Sequence, residues 1–369
     1  MNRLFRWNQT GLFLLALAAG ILPFAVPEVC AAALREGLTL CSGPLLLSLF
    51  PFLVVSRLLI QCPESDLLAL PFRLAVWGIG IRTPCAARVL CIGFLGGFAP
   101  AASAAAQAVK TGQLTAEEAD ALLPACICSG PSFVVLTVGQ SLLGSAELGV
   151  LLFASQITAN YLTAALLNRF AGVRSVKPGS AAPASPAPPQ LDEILADAAI
   201  TYCKLCGFIL FFRLLAAGAG ALLPAGAGTL CSILLEVCSG CDLASRTGRW
   251  GSLLCCAALS VQGLSVLLQV RTICPPEMTL RPLYRARMLH LPLSLALFYL
   301  LLPGGEADVF STLPARVLLM RRVPPDCALL VFAVCCMAAC TLRSGIRQVE
   351  QKQMARNAGG CCINSKTLL

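Results

Sequence analysis

The chain has 369 residues, of which 57% are hydrophobic and 12% charged, with a formal net charge of +9 and a mean hydropathy of +0.81. A soluble domain carries roughly 25% charged residues, so this chain lacks the polar side chains to cover an aqueous surface of its size. Its apolar runs are continuous and do not alternate, which argues against an outer-membrane barrel. No basic face with interleaved aromatics argues for nucleic acid. The expected class is an all-α, polytopic transmembrane protein with the lipid bilayer as its main partner.

Residues 1–36 open with Arg3 and Arg6 and run into an apolar stretch at 12–33. The layout is that of a signal peptide, but the apolar part is long for one and reads as a first membrane helix. Further stretches approaching the ~20 apolar residues that cross a bilayer occupy 38–60, 86–109, 119–143 and 147–170. A shorter, interrupted stretch at 67–81 reads as interfacial or re-entrant. Residues 173–193 form a Pro/Ala/Ser-rich linker with no core-forming content. Beyond it lie apolar stretches at 197–222, 228–244, 251–273 and 288–303. A C-terminal helix region at 305–342, with its apolar part at 326–342, leads into a basic tail at 343–369. The expected units are therefore an N-terminal helix (1–36), a first half (37–172), the linker, a second half (194–304), the helix region and the tail.

Basic residues flank these runs: Arg169, Arg174 and Lys177 near the linker, and Arg343, Arg347, Lys352, Arg356 and Lys366 in the tail. Such clusters mark cytoplasmic flanks, so the tail is expected in the cytoplasm. If Arg3, Arg6 and the linker share that side, the first half crosses an even number of times. Five strong segments precede the linker, so either 67–81 crosses or one segment re-enters. The 119–143 segment, broken at CICSGPSF, is the candidate for re-entry.

Four elements recur in the same order in the two halves. VVSRLLI (54–60), LGGFAPAAS (95–103), KTGQL (110–114) and SGPSFVV (129–135) match LFFRLLA (210–216), LEVCSGCDLAS (235–245), RTGRW (246–250) and QGLSVLL (262–268). Each half reads as helix, small-residue helix, basic Thr-Gly turn and broken helix. Paired, interrupted helices in corresponding halves point to a midplane binding site in a secondary transporter. The close-packing and helix-breaking residues are Gly96, Gly97, Pro100, Gly130, Pro131, Gly240 and Gly263. Pro100 is expected to kink its helix and free a carbonyl, which lipid tolerates only where it lines a polar cavity or is buried in protein. The candidate solute-binding residues are Ser103, Gln107, Ser129, Ser132, Glu236, Gln262, Ser265 and Gln269, expected to line one polar cavity. Ser103/Gln107 and Ser265/Gln269 repeat an i, i+4 pairing on one helix face. Glu236 is an ionisable group in an apolar run and a functional candidate by default, although Arg213 or Lys204 could pair with it structurally.

The chain has 21 cysteines. They read as small apolar packing residues; the alternative is a four-thiolate metal site from Cys203, Cys206, Cys238 and Cys241. His290, beside Arg285 and Arg287, reads as interfacial and not as a metal ligand. With one histidine and no nucleotide, zinc or cofactor motif, no enzyme, cofactor or metal is expected.

PLLLSLFPFLVVSRLLI, then GFLGGFAPAASAAAQAVKTGQLTAEEADALLPACICSGPSF, then LLEVCSG and LSVQGLSVLLQV, resemble the YlbJ-type sporulation integral membrane proteins of the Gate-domain (nucleoside recognition) superfamily. The resemblance runs from about residue 40 to 290. This chain has Phe98-Ala99-Pro100-Ala101 where members of that family tend to have Tyr-Pro-x-Gly. The resemblance implies a multi-pass protein of the bacterial cytoplasmic membrane with two Gate-type halves. It also implies a role in building the spore envelope, as a transporter or gate for a small polar solute, nucleoside-like or ionic. The rival expectation is a non-transporting scaffold for envelope assembly. A homo-oligomer is compatible with either.

Overall fold

A computed structural model describes residues 9–62, 65–171 and 191–302. Arg3 and Arg6, most of the linker, the 305–342 region and the tail lie outside the described residues. Among those described, every regular element is helical. In order they are α1 (Gln9–Ala25), α2 (Pro27–Ser42), α3 (Pro44–Gln61), the short α4 (Ser65–Leu68), α5 (Leu70–Gly78), α6 (Pro84–Gly96), α7 (Phe98–Lys110) and α8 (Ala116–Cys126). A π-helix (Ser132–Leu142), α9 (Ala146–Ala171), α10 (Leu191–Leu222), α11 (Ala225–Leu235), α12 (Val237–Ser245), α13 (Gly251–Val261), α14 (Gly263–Ile273) and α15 (Arg281–Leu301) complete the set.

Among the described residues three helical stretches are long and apolar enough to cross a membrane: Ala146–Ala171, Leu191–Leu222 and Gly248–Ile273, the last running through a break at Gln262. α1 and α2 add a fourth if taken as one span, but they are bent by 110°. The bend falls at Val26, because Pro27 has no N–H to continue α1 and restricts the residue before it. The stretches 38–60, 86–109, 119–143 and 228–244 are likewise divided, at Gly43, Gly97, residues 127–131 and Glu236; the break in 119–143 falls at the expected CICSGPSF, and that in 86–109 falls at Gly97, ahead of Pro100. The break at Glu236 has no proline inside its run and is not apparent from the apolar composition there. α10 begins at Leu191, inside the expected linker, with Asp192 and Glu193 in its first turn, where acidic side chains favour the positive end of the helix dipole.

One continuous apolar core joins α5 to α8 with α12 to α15. α7 sits at its centre: Ala99, Ala101, Ala102, Ala104, Ala105 and Ala108 are all 0% exposed, so the lost side-chain bulk of this stretch is room for helices on every side. α10 packs along α2, α3 and α11. Two ion pairs pin it there, Arg57 (α3) to Asp197 and Arg213 to Glu36 (α2). Arg213 is thus engaged with α2, and Lys204 is exposed; neither supplies the partner expected for Glu236. At the far side of the core, Asp120 of α8 accepts from the Thr279 amide and hydroxyl at 2.8 and 2.6 Å and from the Leu280 amide at 3.1 Å. It thereby caps the entry to α15, where Leu280 adopts φ +56°.

Candidate functional site

Four helix breaks build the site. At the first, α6 stops at Gly96 and Gly97 takes φ +82°, a conformation that favours glycine. Pro100 falls in the first turn of α7, where an N–H would have no helical partner anyway. The kink expected at Pro100 is therefore absent, and the chain turns one step earlier, at Gly97. At the second, α8 ends at Cys126, Ile127 is extended, and Pro131 leads into the π-helix. The two breaks press together: a methyl on Gly97 would lie 2.7 Å from the Gly130 amide nitrogen and 3.3 Å from the Cys128 carbonyl oxygen.

The third break is Glu236, extended between α11 and α12. Its carboxylate, on a residue 2% exposed, accepts from the amides of Cys238 at 2.9 Å and Ser239 at 2.7 Å, so it caps α12. At the fourth, Gln262 and Gly263 both take positive φ, +63° and +67°, between α13 and α14. These breaks also press together: a methyl on Gly263 would meet the Glu236 nitrogen and the Leu235 oxygen at 2.9 Å. Gly240 brings α12 against α11, with Ile233 Cα 2.8 Å from where a methyl would stand.

A cavity of about 60 Å³ draws on both pairs of breaks. Its walls are apolar: Leu45, Leu49 and Phe52 of α3, Phe98, Phe133 and Ile209. Its polar side chains are Ser129, Ser132, Glu236, Cys238 and Gln269, and Gly96 and Gly130 also face it. Four of the eight expected solute residues are thus brought together. Ser265 reaches the group through Gln269, whose Nε2 donates to its hydroxyl at 2.9 Å. Gln262 is buried at the break beside Glu236 but does not line the cavity. Ser103 and Gln107 do not line it either; they sit on the alanine-rich α7, and the i, i+4 analogy with Ser265/Gln269 does not carry over to position.

A second polar cluster escaped the sequence reading. Arg287, 7% exposed, donates through Nη2 to the Ile127 carbonyl at 2.7 Å and to Asn160 Oδ1 at 3.3 Å, and through Nη1 to the Ser260 carbonyl at 3.4 Å. Ile127 and Ser260 are at the C-terminal ends of α8 and α13, so one cation meets the negative ends of two interrupted helices. Gln156 donates to the Ser260 hydroxyl at 3.0 Å, Ser260 and Ser294 share a hydrogen bond, and His290 Nε2 meets the Gln156 carbonyl at 3.2 Å. His290 is 1% exposed, buried among these polar side chains. The available signal was periodic: Gln156, Asn160 and Thr163 on α9, and Arg287, His290 and Ser294 on α15, recur at helical spacing inside apolar runs. The four-thiolate alternative does not form. Cys203 is exposed and Cys241 buried, and among the described residues no three His, Cys, Asp or Glu side chains converge on a metal position.

Fold and site together define an all-helical chain with the long apolar helices of a multi-pass membrane protein and interrupted helices meeting at one small cavity. No protein family, curated protein or solved structure matches the chain.

Proposed function

We propose that this chain is a transporter or gate for a small polar solute, built from two related Gate-type halves and working by alternating access around its broken helices. Its setting is the bacterial cytoplasmic membrane and its service is spore-envelope formation, as the family resemblance implies. The observation that carries the reading is the pairing of breaks. Gly97 presses on Cys128–Gly130 in one half, Gly263 presses on Leu235–Glu236 in the other, and a single cavity takes side chains from both. The Thr-Gly turns between the breaks agree as well, with Gly112 at φ +69° and Gly248 at φ +65°. Non-helical backbone at membrane depth is tolerated where it is buried in protein or lines a cavity, and broken helices that meet at the interface between two repeats are where transporters hold their solutes.

The test is thermal unfolding of the purified full-length protein across a panel of nucleosides, ions and envelope precursors. A ligand held by the folded state alone raises the midpoint by mass action. The expected result is saturable stabilisation by one class, weakened by Gln269→Leu, with flux of that class across proteoliposomes. Stabilisation that survives Gln269→Leu and Glu236→Gln unchanged, or a protein that passes no panel member, would overturn the reading. Envelope assembly that fails on deleting 343–369 while Glu236→Gln and Ser265→Ala leave it intact would favour the scaffold.

A further inference from the structure

Proteins commonly receive anions at helix N-termini, where free amides and the dipole attract negative charge. At this cavity that position is already filled. The amides of Cys238 and Ser239, at the start of α12, are both taken by the carboxylate of Glu236. What faces the cavity there is a carboxyl group that already occupies the amides an incoming anion would need.

Gln269 adds an independent observation. Its Nε2 is committed to the Ser265 hydroxyl at 2.9 Å, while its Oε1 is buried without a hydrogen-bond partner. The residue is 1% exposed and lines the cavity. A buried acceptor left unmade costs about 1–3 kcal/mol, so this oxygen calls for a donor or a cation that none of the described residues provides. One break away, Gln262 Oε1 is likewise buried and unpartnered.

Charge balance points the same way. Among the described residues lining the cavity none is Lys, Arg or His. The neighbouring arginines are engaged elsewhere, Arg213 with Glu36 at 2.6 Å and Arg287 with the Ile127 carbonyl at 2.7 Å. A carboxylate buried in apolar surroundings is costly without a positive partner. The available volume, about 60 Å³, corresponds to a few water molecules at ~10–15 Å³ each.

We propose that this cavity holds a small monovalent cation, an alkali ion or a protonated amine of similar size, between the Glu236 carboxylate and the Gln269 amide oxygen, and that it rejects anions. The inference rests on the reading of this cavity as the solute site and names its chemical class. Ser129 and Ser132, which line the same space, add hydroxyl oxygens of the kind that suit a hard cation.

Thermal unfolding of the full-length protein in detergent tests it. Lithium, sodium, potassium, ammonium and methylammonium chlorides are compared at constant ionic strength, with N-methylglucamine chloride as the bulky balancing salt. The alkali and amine arms separate the two sources of positive charge. The expected result is saturable stabilisation by at least one small cation, with apparent affinity falling tenfold or more in Gln269→Leu and in Glu236→Gln. Gln269→Leu leaves the α12 cap intact, so it reports even if Glu236→Gln fails to fold. Equal midpoints in every salt, cation binding unaltered by Gln269→Leu, or stabilisation by inorganic phosphate in its place would overturn the proposal. Stabilisation by an uncharged nucleoside such as adenosine, blocked by Gln269→Leu and indifferent to cations, would overturn the cation and leave the solute site standing.

Discussion

Arg287→Met removes a guanidinium and keeps most of the side chain's length and apolar stem. The wild-type group ties the C-terminal end of α8 to that of α13 through the Ile127 carbonyl at 2.7 Å and the Ser260 carbonyl at 3.4 Å. A hydrogen bond from a charged donor contributes about 1.5–3 kcal/mol, and a buried carbonyl left without a donor costs about 1–3 kcal/mol. Only the shorter contact earns full weight, and Ile127 keeps a second donor in Asn160 Nδ2 at 3.2 Å. Against the loss stands relief from burying a cation, and no carboxylate is orphaned by its removal. The balance is a destabilisation of about 2 kcal/mol, or roughly 4–8 °C in the unfolding midpoint at the ~2–4 °C per kcal/mol of a large domain. Arg287→Lys keeps the charge but presents it as a single point that cannot fork between two carbonyls, so it falls between the two. Thermal and denaturant unfolding of the three proteins in one detergent gives the comparison. A methionine variant as stable as the wild type would show that the guanidinium does not hold the two helix ends together.

Gly97→Ala and Gly263→Ala should each cost more than about 3 kcal/mol. A side chain at positive φ costs about 1–2 kcal/mol, and the added methyl would stand 2.7 Å and 2.9 Å from backbone; monodisperse protein with an unchanged midpoint would contradict the close contact. Gln262→Gly should stabilise slightly, by about 0.5–1 kcal/mol, because it relieves the roughly 1–2 kcal/mol of strain at φ +63° against glycine's entropic cost of about 0.5–1 kcal/mol, and a lowered midpoint would assign Gln262 a contact worth more than its strain. Asp120→Ala should destabilise by about 2–3 kcal/mol, since it orphans the amides of Thr279 and Leu280. Faster hydrogen exchange at the start of α15 is the corresponding local readout, and unchanged protection there would rule out the cap.

The positions of the breaks were legible because their chemistry is local. Ser129-Gly130-Pro131 cannot continue a helix, and Gln262-Gly263 and Gly96-Gly97 announce turns. Pro100 misled because a proline interrupts a helix only beyond its first turn, and which turn it occupies depends on Gly97 adopting positive φ. Glu236 was recognisable as costly, but whether an acid in an apolar run meets a solute, a base or its own helix depends on where that helix begins. The Arg287 cluster was illegible for another reason. It joins side chains 100 or more residues apart, such as Gln156 and Ser260, and the neighbouring Arg285 made the stretch look like a membrane edge. The same non-locality separates Ser103 from Ser265. Equal spacing along two helices fixes a shared face on each; it does not fix what that face meets.

Between the π-helix and α9 the two backbones nearly touch: a methyl on Gly139 would stand 2.4 Å from Gly149 Cα, and one on Gly149 would stand 2.8 Å from Val135 Cα. The π turn sets the register, with the Leu143 amide reaching back five residues to the Val138 carbonyl at 3.0 Å. Slipping either helix by one residue would bring Val138 or Gln140 against Gly149, and there is no space for either. The π-helix is therefore fixed in register against α9. Displacing it on the cavity side would have to carry α9 along, together with the hydrogen bonds by which Asn160 and Gln156 tie that helix to the Ile127 carbonyl and to Ser260.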